Sequence, residues 1–203
     1  QFEDAAGFRV GTRLGRVRRC RLGDRVGRLL RHWRGVWDEV DVFEGQAGDG
    51  LFEADDLAAM MVRRTAGKAK IMLLSADKDW AQLIGPAVSW FDPIHDIRIS
   101  HATMEEKLGV KSGRAWLEVK ALMGDNSDDV PGVGGIGDKG AKELINAYGS
   151  VTEFLNRASL EPDLKLPKKF ADLVDSNEKQ DIFMRNMVLM DLNHRAIPAP
   201  VDL

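Results

Sequence analysis

Apolar positions along the chain recur with two spacings, which together predict helices interspersed with short strands. Continuous apolar runs predict a buried strand over 70–75 and a second strand in AVSWFDP, which Pro93 ends. DIRISHATMEEKLG predicts a short strand followed by a helix. Apolar residues three or four apart predict helices in FEADDLAAMMVRRTAG, GRAWLEVKALMG and DKGAKELINAYG. The chain from SVTEFLNRA to VLMDL is also helical in pattern, with breaks at Pro162 and Pro167. Helices between apolar strands indicate an α/β fold.

A glycine-rich segment, DDVPGVGGIGDKGAKEL, separates two of the predicted helices. It contains Gly132-x-Gly134-x-x-Gly137, the spacing of a dinucleotide-binding fingerprint. That fingerprint needs an apolar strand before its first glycine, whereas turn-forming residues and Pro131 precede this one. Two short helices around a glycine turn instead predict a helix-hairpin-helix. The amides that begin its second helix can bind a nucleic-acid phosphate without reading sequence, and Lys139 and Lys142 would add positive charge there.

Composition is that of an ordinary globular protein. The chain has 203 residues, of which 44% are hydrophobic and 30% charged, enough for one domain with a sizeable core or one domain plus an appendage. No apolar run reaches membrane-spanning length. The single cysteine, Cys20, excludes an internal disulfide and is compatible with a reducing compartment. The four histidines are scattered along the sequence, so their spacing does not indicate a zinc site.

Charge is distributed unevenly along the chain. The net charge is −3, from 29 basic and 32 acidic residues, but one segment is strongly basic and contains Asp24 as its only acid. Its arginines are Arg9, Arg13, Arg16, Arg18, Arg19, Arg21, Arg25, Arg28, Arg31 and Arg34. A basic arm on an acidic body suggests a polyanionic partner. The apolar residues from Leu22 to Val40 keep helical spacing, so a solvated arginine face on an amphipathic helix is equally compatible.

Three groups of carboxylates provide the candidate chemistry. They are Glu53, Asp55 and Asp56 at a helix start, Asp77 and Asp79 after a buried strand, and Asp125 and Asp128 before the glycine turn. Taken singly, each has a local explanation: a favourable helix dipole, a helix N-cap at Asp79, or Asx turns. If they converge in one crevice at the sheet edge, they would repel one another and need cations. Oxygen ligands without histidine or cysteine suit Mg²⁺ or Mn²⁺, and two such ions about 4 Å apart can hydrolyse a phosphodiester.

Three stretches, FEADDLA, LLSADKDWAQL and ALMGDNSDDVPGVGGIGDKGAKELINAYGS, carry a family resemblance over about residues 51–192. The chain resembles the 5′-nuclease superfamily, which includes the 5′→3′ exonuclease domain of bacterial DNA polymerase I, phage 5′-exonucleases and RNase H, and flap endonucleases. The resemblance implies an α/β PIN-like (SAM) fold, a mostly parallel sheet flanked by helices, with a helix-3-turn-helix DNA clamp. It further implies Mg²⁺-dependent hydrolysis of branched or 5′-ended DNA and of RNA primers on DNA, in replication or repair. A monomer in the cytoplasm of a bacterial or phage-infected cell is expected.

Carried over by motif, the resemblance assigns metal ligation to all the acids of the three groups. Those acids are Glu53, Asp55, Asp56, Asp77, Asp79, Asp125 and Asp128. The expected DNA contacts are Arg13, Arg19, Lys78, Gly134, Gly135, Gly137, Lys139 and Lys142. The family also binds K⁺ through hairpin carbonyls, which fall near Val133 and Ile136. Asp129 stands where the family often has Asn.

The N-terminus departs from the family pattern. The family opens with a strand that carries a metal-binding Asp, and no residue here matches it, so we expect the chain to begin after that strand. FEDAAGFR offers Asp4 and Arg9 for the next family motif, and Arg16 and Arg19 fall where the family has its Lys and Arg, with a one-residue gap. Asp4, Arg9 and Arg16 are therefore the expected catalytic side chains, with the arginines holding the phosphate or the threaded 5′ strand. A branched-DNA-binding module that does not cut is the alternative, and a toxin-like PIN ribonuclease is a third. We expect a nuclease core over 1–110 and the hairpin with C-terminal helices over 111–203.

Overall fold

The computed structural model of the chain describes residues 54–194. Helix α1 (Ala54–Thr65) leads into strand β1 (Ile71–Leu74), and a 3₁₀ helix (Lys78–Leu83) connects it to β2 (Val88–Asp92). After β3 (Ile97–Ile99) come a 3₁₀ turn (His101–Thr103), α2 (Met104–Leu108) and α3 (Gly113–Met123). The two-residue strands β4 (Gly124–Asp125) and β5 (Val130–Pro131) then precede α4 (Asp138–Tyr148), α5 (Val151–Leu160), α6 (Lys168–Asp175) and α7 (Asn177–Met190). The predicted α/β class is confirmed.

The three-stranded sheet contains one parallel and one antiparallel pair in the part of the chain described. Strands β1 and β2 are parallel, with Ile71 opposite Val88. The 3₁₀ segment between them returns the chain to the end of the sheet at which β1 begins. Strand β3 returns antiparallel, with Trp90 opposite Ile99. The short turn between β2 and β3 allows only that direction. Asp92 stabilises this turn, since its Oδ1 accepts hydrogen bonds from the backbone amides of the two residues after Pro93.

Helix boundaries follow the predicted breaks. Helix α5 ends at Leu160, before Pro162, and Pro167 immediately precedes α6, where its missing N–H costs no intrahelical bond. One break was not predicted. Ser176 ends α6 and caps α7, and its side chain accepts a hydrogen bond from the Lys179 amide. A serine N-cap separates the two helices without needing proline or glycine.

Helix α3 is the centre of the core, because α4, α7 and the 3₁₀ helix all pack against it. Nearly every residue of α3 is buried, including Trp116, Val119 and Leu122. The buried Asn186 of α7 joins this helix to the following hairpin, since its Nδ2 donates to the carbonyls of Ala121, at 2.9 Å, and Pro131, at 2.8 Å. The core therefore fixes both ends of the β4–β5 segment.

No helix within residues 54–194 combines the length and apolarity needed to cross a bilayer.

The start of α3 approaches the 3₁₀ helix so closely that only glycine fits. A Cβ at Gly113 would lie 2.0 Å from the carbonyl oxygen of Gln82. We expect Gly113→Ala to destabilise the fold by about 1–3 kcal/mol, because the two elements must separate to admit a methyl group. Urea denaturation of the variant measures this. Gly85→Ala is the matched control, since nothing lies within 4 Å of its Cβ position, and equal midpoints for the two variants would contradict the close approach.

Candidate metal centre

Three carboxylates from separate elements lie together in the structure. Asp79 belongs to the 3₁₀ helix, Asp125 ends β4, and Asp128 lies in the loop between β4 and β5. One oxygen from each lies within 4.8 Å of the others. A cation held at about 2.0–2.6 Å from each oxygen can span oxygens up to about 5 Å apart, so these three fit around one ion.

The ammonium group of Lys120 lies between two of these carboxylates. Its Nζ is 2.9 Å from Oδ1 of Asp79 and 2.5 Å from Oδ2 of Asp125, and the lysine side chain is only 17% exposed. The contact with Asp125 is a hydrogen bond, whereas the contact with the buried Oδ1 of Asp79 is an ion pair without good alignment. The positive charge offsets the repulsion between the two carboxylates.

This arrangement shifts the pKa values of the two carboxylates in opposite directions. The hydrogen bond from Lys120, helped by the Ser127 side chain, lowers the pKa of Asp125 to about 2. Burial raises the pKa of Asp79 and outweighs the favourable effect of Lys120. The charges of Asp77 and Asp125 raise it further. A bound cation would therefore stabilise the ionised form of Asp79 more than that of Asp125.

The acids that begin α1 belong to the same electrostatic environment. Burial raises the pKa of Asp55, the hydrogen bond from Trp80 lowers it, and the charges of Asp77, Asp56 and Asp128 raise it again. These charges come from α1, from the loop after β1 and from the β4–β5 loop. The structure therefore brings members of all three predicted groups to the carboxyl end of β1.

The local explanations for these acids hold at the same time as the convergence. Asp77, rather than Asp79, is the N-cap of the 3₁₀ helix, because the helix begins two residues earlier than predicted and Oδ1 of Asp77 accepts from the Asp79 amide at 2.8 Å. Oδ1 of Asp125 accepts from the Ser127 amide at 2.9 Å, as in an Asx turn. Each contact occupies one oxygen of its carboxylate. The second oxygen of Asp77 makes no such local bond. The second oxygen of Asp125, Oδ2, contacts Lys120.

The glycine turn has the open backbone expected of a phosphate site. Gly134 and Gly135 have φ of 76° and 79°, and no atom lies within 4 Å of a Cβ placed at either. Gly137 is the N-cap of α4 and supplies no side-chain cap to the amides of the first turn. Val133 and Ile136 bury their side chains in the core and so anchor the turn on both sides.

The two predicted hairpin lysines differ in availability. Lys139 is exposed. Lys142 is only 25% exposed; its Nζ lies 2.7 Å from Oδ1 of Asp138 and 5.7 Å from the ring centroid of Trp116. A third lysine, Lys179 of α7, donates to the Gly134 carbonyl at 3.3 Å. Lys139 is therefore the hairpin lysine with its ammonium most available to a ligand.

Several predicted residues lie outside the described range and stay predictions. They are Asp4, Arg9, Arg13, Arg16, Arg19 and Glu53, together with the rest of the basic segment. Lys78, predicted to contact DNA, is exposed, and its carbonyl accepts a hydrogen bond from Nε1 of Trp116 at 3.0 Å.

The sequence analysis missed Lys120 and Trp80. A signal for Lys120 existed, because it lies between apolar residues in the second half of GRAWLEVKALM, five residues before Asp125. A charge on the buried face of a helix needs a partner, and the adjacent acidic loop supplies it. Trp80 had no comparable signal, since its aromatic ring fits the core equally well.

Part of the chain is similar to a known protein family. Residues 112–202 match the family described as "5′-3′ exonuclease, C-terminal SAM fold". That segment, somewhat less than half of the chain, is similar to this 5′-nuclease family. DNA polymerase I of Rhizobium leguminosarum is 38% identical over 109 residues, covering 53% of this chain and 11% of that protein. Flap endonuclease Xni of Shewanella oneidensis is 33% identical over 123 residues, covering 59% of this chain and 46% of that protein. The predicted resemblance is confirmed, and the matched region spans less than half of these relatives.

Solved structures of a bacteriophage T5 enzyme share the fold. A T5 5′-exonuclease with bound zinc ions has a TM-score of 0.60 at 30% identity, covering 70% of this chain and 50% of that one. A T5 flap endonuclease, solved as a pseudo-enzyme–product complex with DNA and metal ions, has a TM-score of 0.59 at 30% identity with the same coverage. Both T5 structures contain metal ions, and one of them also contains DNA.

Removing the Lys120 ammonium should expose the repulsion that it offsets. We expect Lys120→Met to lower metal-free stability by about 2 kcal/mol, because two partly buried carboxylates lose their cationic partner. Mg²⁺ should then stabilise the variant more than the unmutated chain, since no ammonium competes with the ion. Thermal denaturation in EDTA and in Mg²⁺ tests both effects. Lys68→Met, an exposed lysine before β1, is the control, and identical behaviour of the two variants would contradict the role of Lys120.

Proposed function

We propose that this chain carries the metal site of a structure-specific 5′-nuclease that hydrolyses phosphodiesters in branched or 5′-ended DNA and in RNA primers on DNA. The observation that supports this most is the convergence of carboxylates from α1, the 3₁₀ helix and the β4–β5 loop. The glycine turn that follows directly is the second support. A carboxylate cluster next to an open anion-binding turn is an arrangement suited to a phosphodiester.

The donor set fits hard divalent cations. Every candidate ligand in the cluster is a carboxylate oxygen, which suits Mg²⁺ or Mn²⁺ rather than zinc held by histidine or cysteine. When bound, such ions supply an activated water and stabilise the leaving oxygen, which would give a 5′-phosphate and a 3′-hydroxyl. Asp79, Asp125 and Asp128 are the proposed central ligands. Asp55, Asp56 and Asp77 would complete the set, with Glu53 as a further expected ligand.

Residues of the chain itself would hold and orient the nucleic acid. The open amides around Gly134, Gly135 and Gly137 can contact backbone phosphates, so binding would depend on structure rather than sequence. Lys139 would add a phosphate contact. Val130 and Pro131 of β5 connect the acidic loop to the glycine turn. A duplex held by the turn would therefore lie near the carboxylate cluster. The K⁺ proposed at the carbonyls of Val133 and Ile136 would lie in the same turn, where Lys179 already contacts the Gly134 carbonyl.

Neutralising single carboxylates should abolish cleavage without abolishing DNA binding. Asp77→Asn preserves the N-cap, and Asp125→Asn preserves the acceptor for Ser127, so both variants keep their local structure. We expect each to lower the rate of Mg²⁺-dependent cleavage of a 5′-labelled flap by at least about 100-fold, because the bound ions lose a charged ligand. Flap affinity measured in Ca²⁺ should stay the same or increase, because one repulsive charge is gone. Asp163→Asn, in the exposed loop after α5, is the control.

The same assay separates the candidate functions. Cleavage that survives both substitutions would reject the assigned metal site. If the unmutated chain binds the flap tightly but does not cut it in Mg²⁺, the branched-DNA-binding module is the correct function. A preference for single-stranded RNA over flaps would favour the toxin-like ribonuclease.

The hairpin lysine has its own test. We expect Lys139→Ala to weaken duplex binding and to lower the slope of log affinity against log salt by about one, because one phosphate contact is lost. Fluorescence anisotropy at several salt concentrations measures this slope. Lys68→Ala removes the same charge before β1, at the opposite end of that strand from the cluster, and should leave the slope unchanged. A normal slope in Lys139→Ala would mean that the hairpin does not contact the duplex at this residue.

A further inference from the structure

One tryptophan is directly bonded to a carboxylate of the cluster. Nε1 of Trp80 donates to Oδ1 of Asp55 at 2.7 Å, joining the 3₁₀ helix to α1. Trp80 is partly buried, and its ring packs against the hydrophobic core. Its position in the chain directly follows Asp79. The bond therefore connects two groups of acids that are otherwise held by separate elements.

Asp55 needs such a partner because its surroundings oppose its charge. Burial and the charges of Asp77, Asp56 and Asp128 all disfavour the ionised form, and the Trp80 hydrogen bond favours it. A carboxylate without a partner in this position would be free to rotate away from the other acids. The indole N–H, which is a donor only, fixes the orientation of the carboxylate through its 2.7 Å hydrogen bond to Oδ1.

Trp80 and Lys120 join the acids in physically different ways. The Lys120 ammonium is positive, so it repels any cation that enters between Asp79 and Asp125. The Trp80 indole is neutral and occupies only Oδ1 of Asp55, which leaves Oδ2 for a cation. The first contact competes with metal binding, whereas the second is compatible with it.

We propose that Trp80 is a positioning residue for the metal centre, holding the Asp55 carboxylate so that its second oxygen serves a divalent cation. This inference rests on the proposed metal site. Hydrogen-bond donors behind ligating carboxylates orient them, and their loss commonly weakens metal binding by about 10- to 100-fold. Core packing alone would require the ring and not its N–H.

The chain contains a matched control for the loss of an indole N–H. Trp90 of β2 is buried, and within the described residues its Nε1 has no hydrogen-bond partner. Trp80→Phe and Trp90→Phe therefore make the same chemical change, and only the first removes a bond to a carboxylate. Isothermal titration with Mn²⁺ should show about tenfold weaker binding in Trp80→Phe. Binding to Trp90→Phe should stay within about twofold of the unmutated chain, even if that variant is less stable.

A double-mutant cycle and fluorescence make the test specific. In an Asp55→Ala background, Trp80→Phe should have little further effect on Mn²⁺ affinity, because the bond is already absent. Titration with Ca²⁺ should change tryptophan emission in the unmutated chain and in Trp90→Phe, and the change should be lost in Trp80→Phe.

Each contrary result has a defined meaning. Unchanged affinity in Trp80→Phe, equal losses in both tryptophan variants, or an undiminished effect in the Asp55→Ala background would overturn the positioning role and leave the proposed function intact. An unmutated chain that binds neither Mn²⁺ nor Ca²⁺ would reject the positioning role and the proposed function together.

Discussion

Repulsion between carboxylates is the constraint on which this structure depends. Acids from α1, from the segment after β1 and from the β4–β5 loop converge, and without compensation they would separate or take up protons. Within the described residues, two side chains hold them together. Lys120 bridges Asp79 and Asp125, and Trp80 donates to Asp55. The remaining cost appears as the raised pKa values of Asp55 and Asp79, which is where a bound cation would have most effect.

The surrounding fold holds the residues that make these contacts in position. Helix α3 is central, because its last turn carries Lys120 and its first residue, Gly113, lies against the 3₁₀ helix that carries Asp79. At the first residue of the same 3₁₀ helix, the Lys78 carbonyl accepts a hydrogen bond from Trp116 of α3. Asn186 fixes the two ends of the β4–β5 segment. A shift of α3 would therefore move the acids of two groups at once.

The hairpin shares this framework rather than forming a separate unit. Val133 and Ile136 are buried, and the Val133 amide donates to the Leu122 carbonyl of α3 at 3.0 Å, so the turn is attached to the helix that organises the acids. Gly134 and Gly135 remain open to solvent with left-handed backbone, a conformation that other residues adopt only with strain. The turn is thus open to solvent while its flanks are held by the core. In the proposed function, this attachment would set the distance between a bound duplex and the carboxylates.

The sequence by itself determined most of the helices, the three longer strands and the glycine turn between two helices, because these follow from local patterns, and it supplied the candidate acids. Apolar spacing, the prolines at 93, 162 and 167, and the glycine turn each act over a few residues. The motif spacing also identified the family. The serine cap at Ser176 between α6 and α7 was missed because it carries no strong breaker. The sequence pattern did not give the direction of β3, which is antiparallel because the short turn after β2 reverses the chain.

Only the tertiary structure decided how the acids are held together. The contacts of Lys120 with Asp79 and of Trp80 with Asp55 join residues 41 and 25 positions apart, and no local pattern encodes such distances. Tertiary packing also placed the Lys142 ammonium 5.7 Å from the ring centroid of Trp116, whereas Lys139 is exposed. The pairing of Lys142 with Asp138, four residues earlier on the same helix, is by contrast a local contact. Residue type and spacing limit which groups can react. Long-range packing determines which side chains those groups contact, and these contacts set the charge environment of the site.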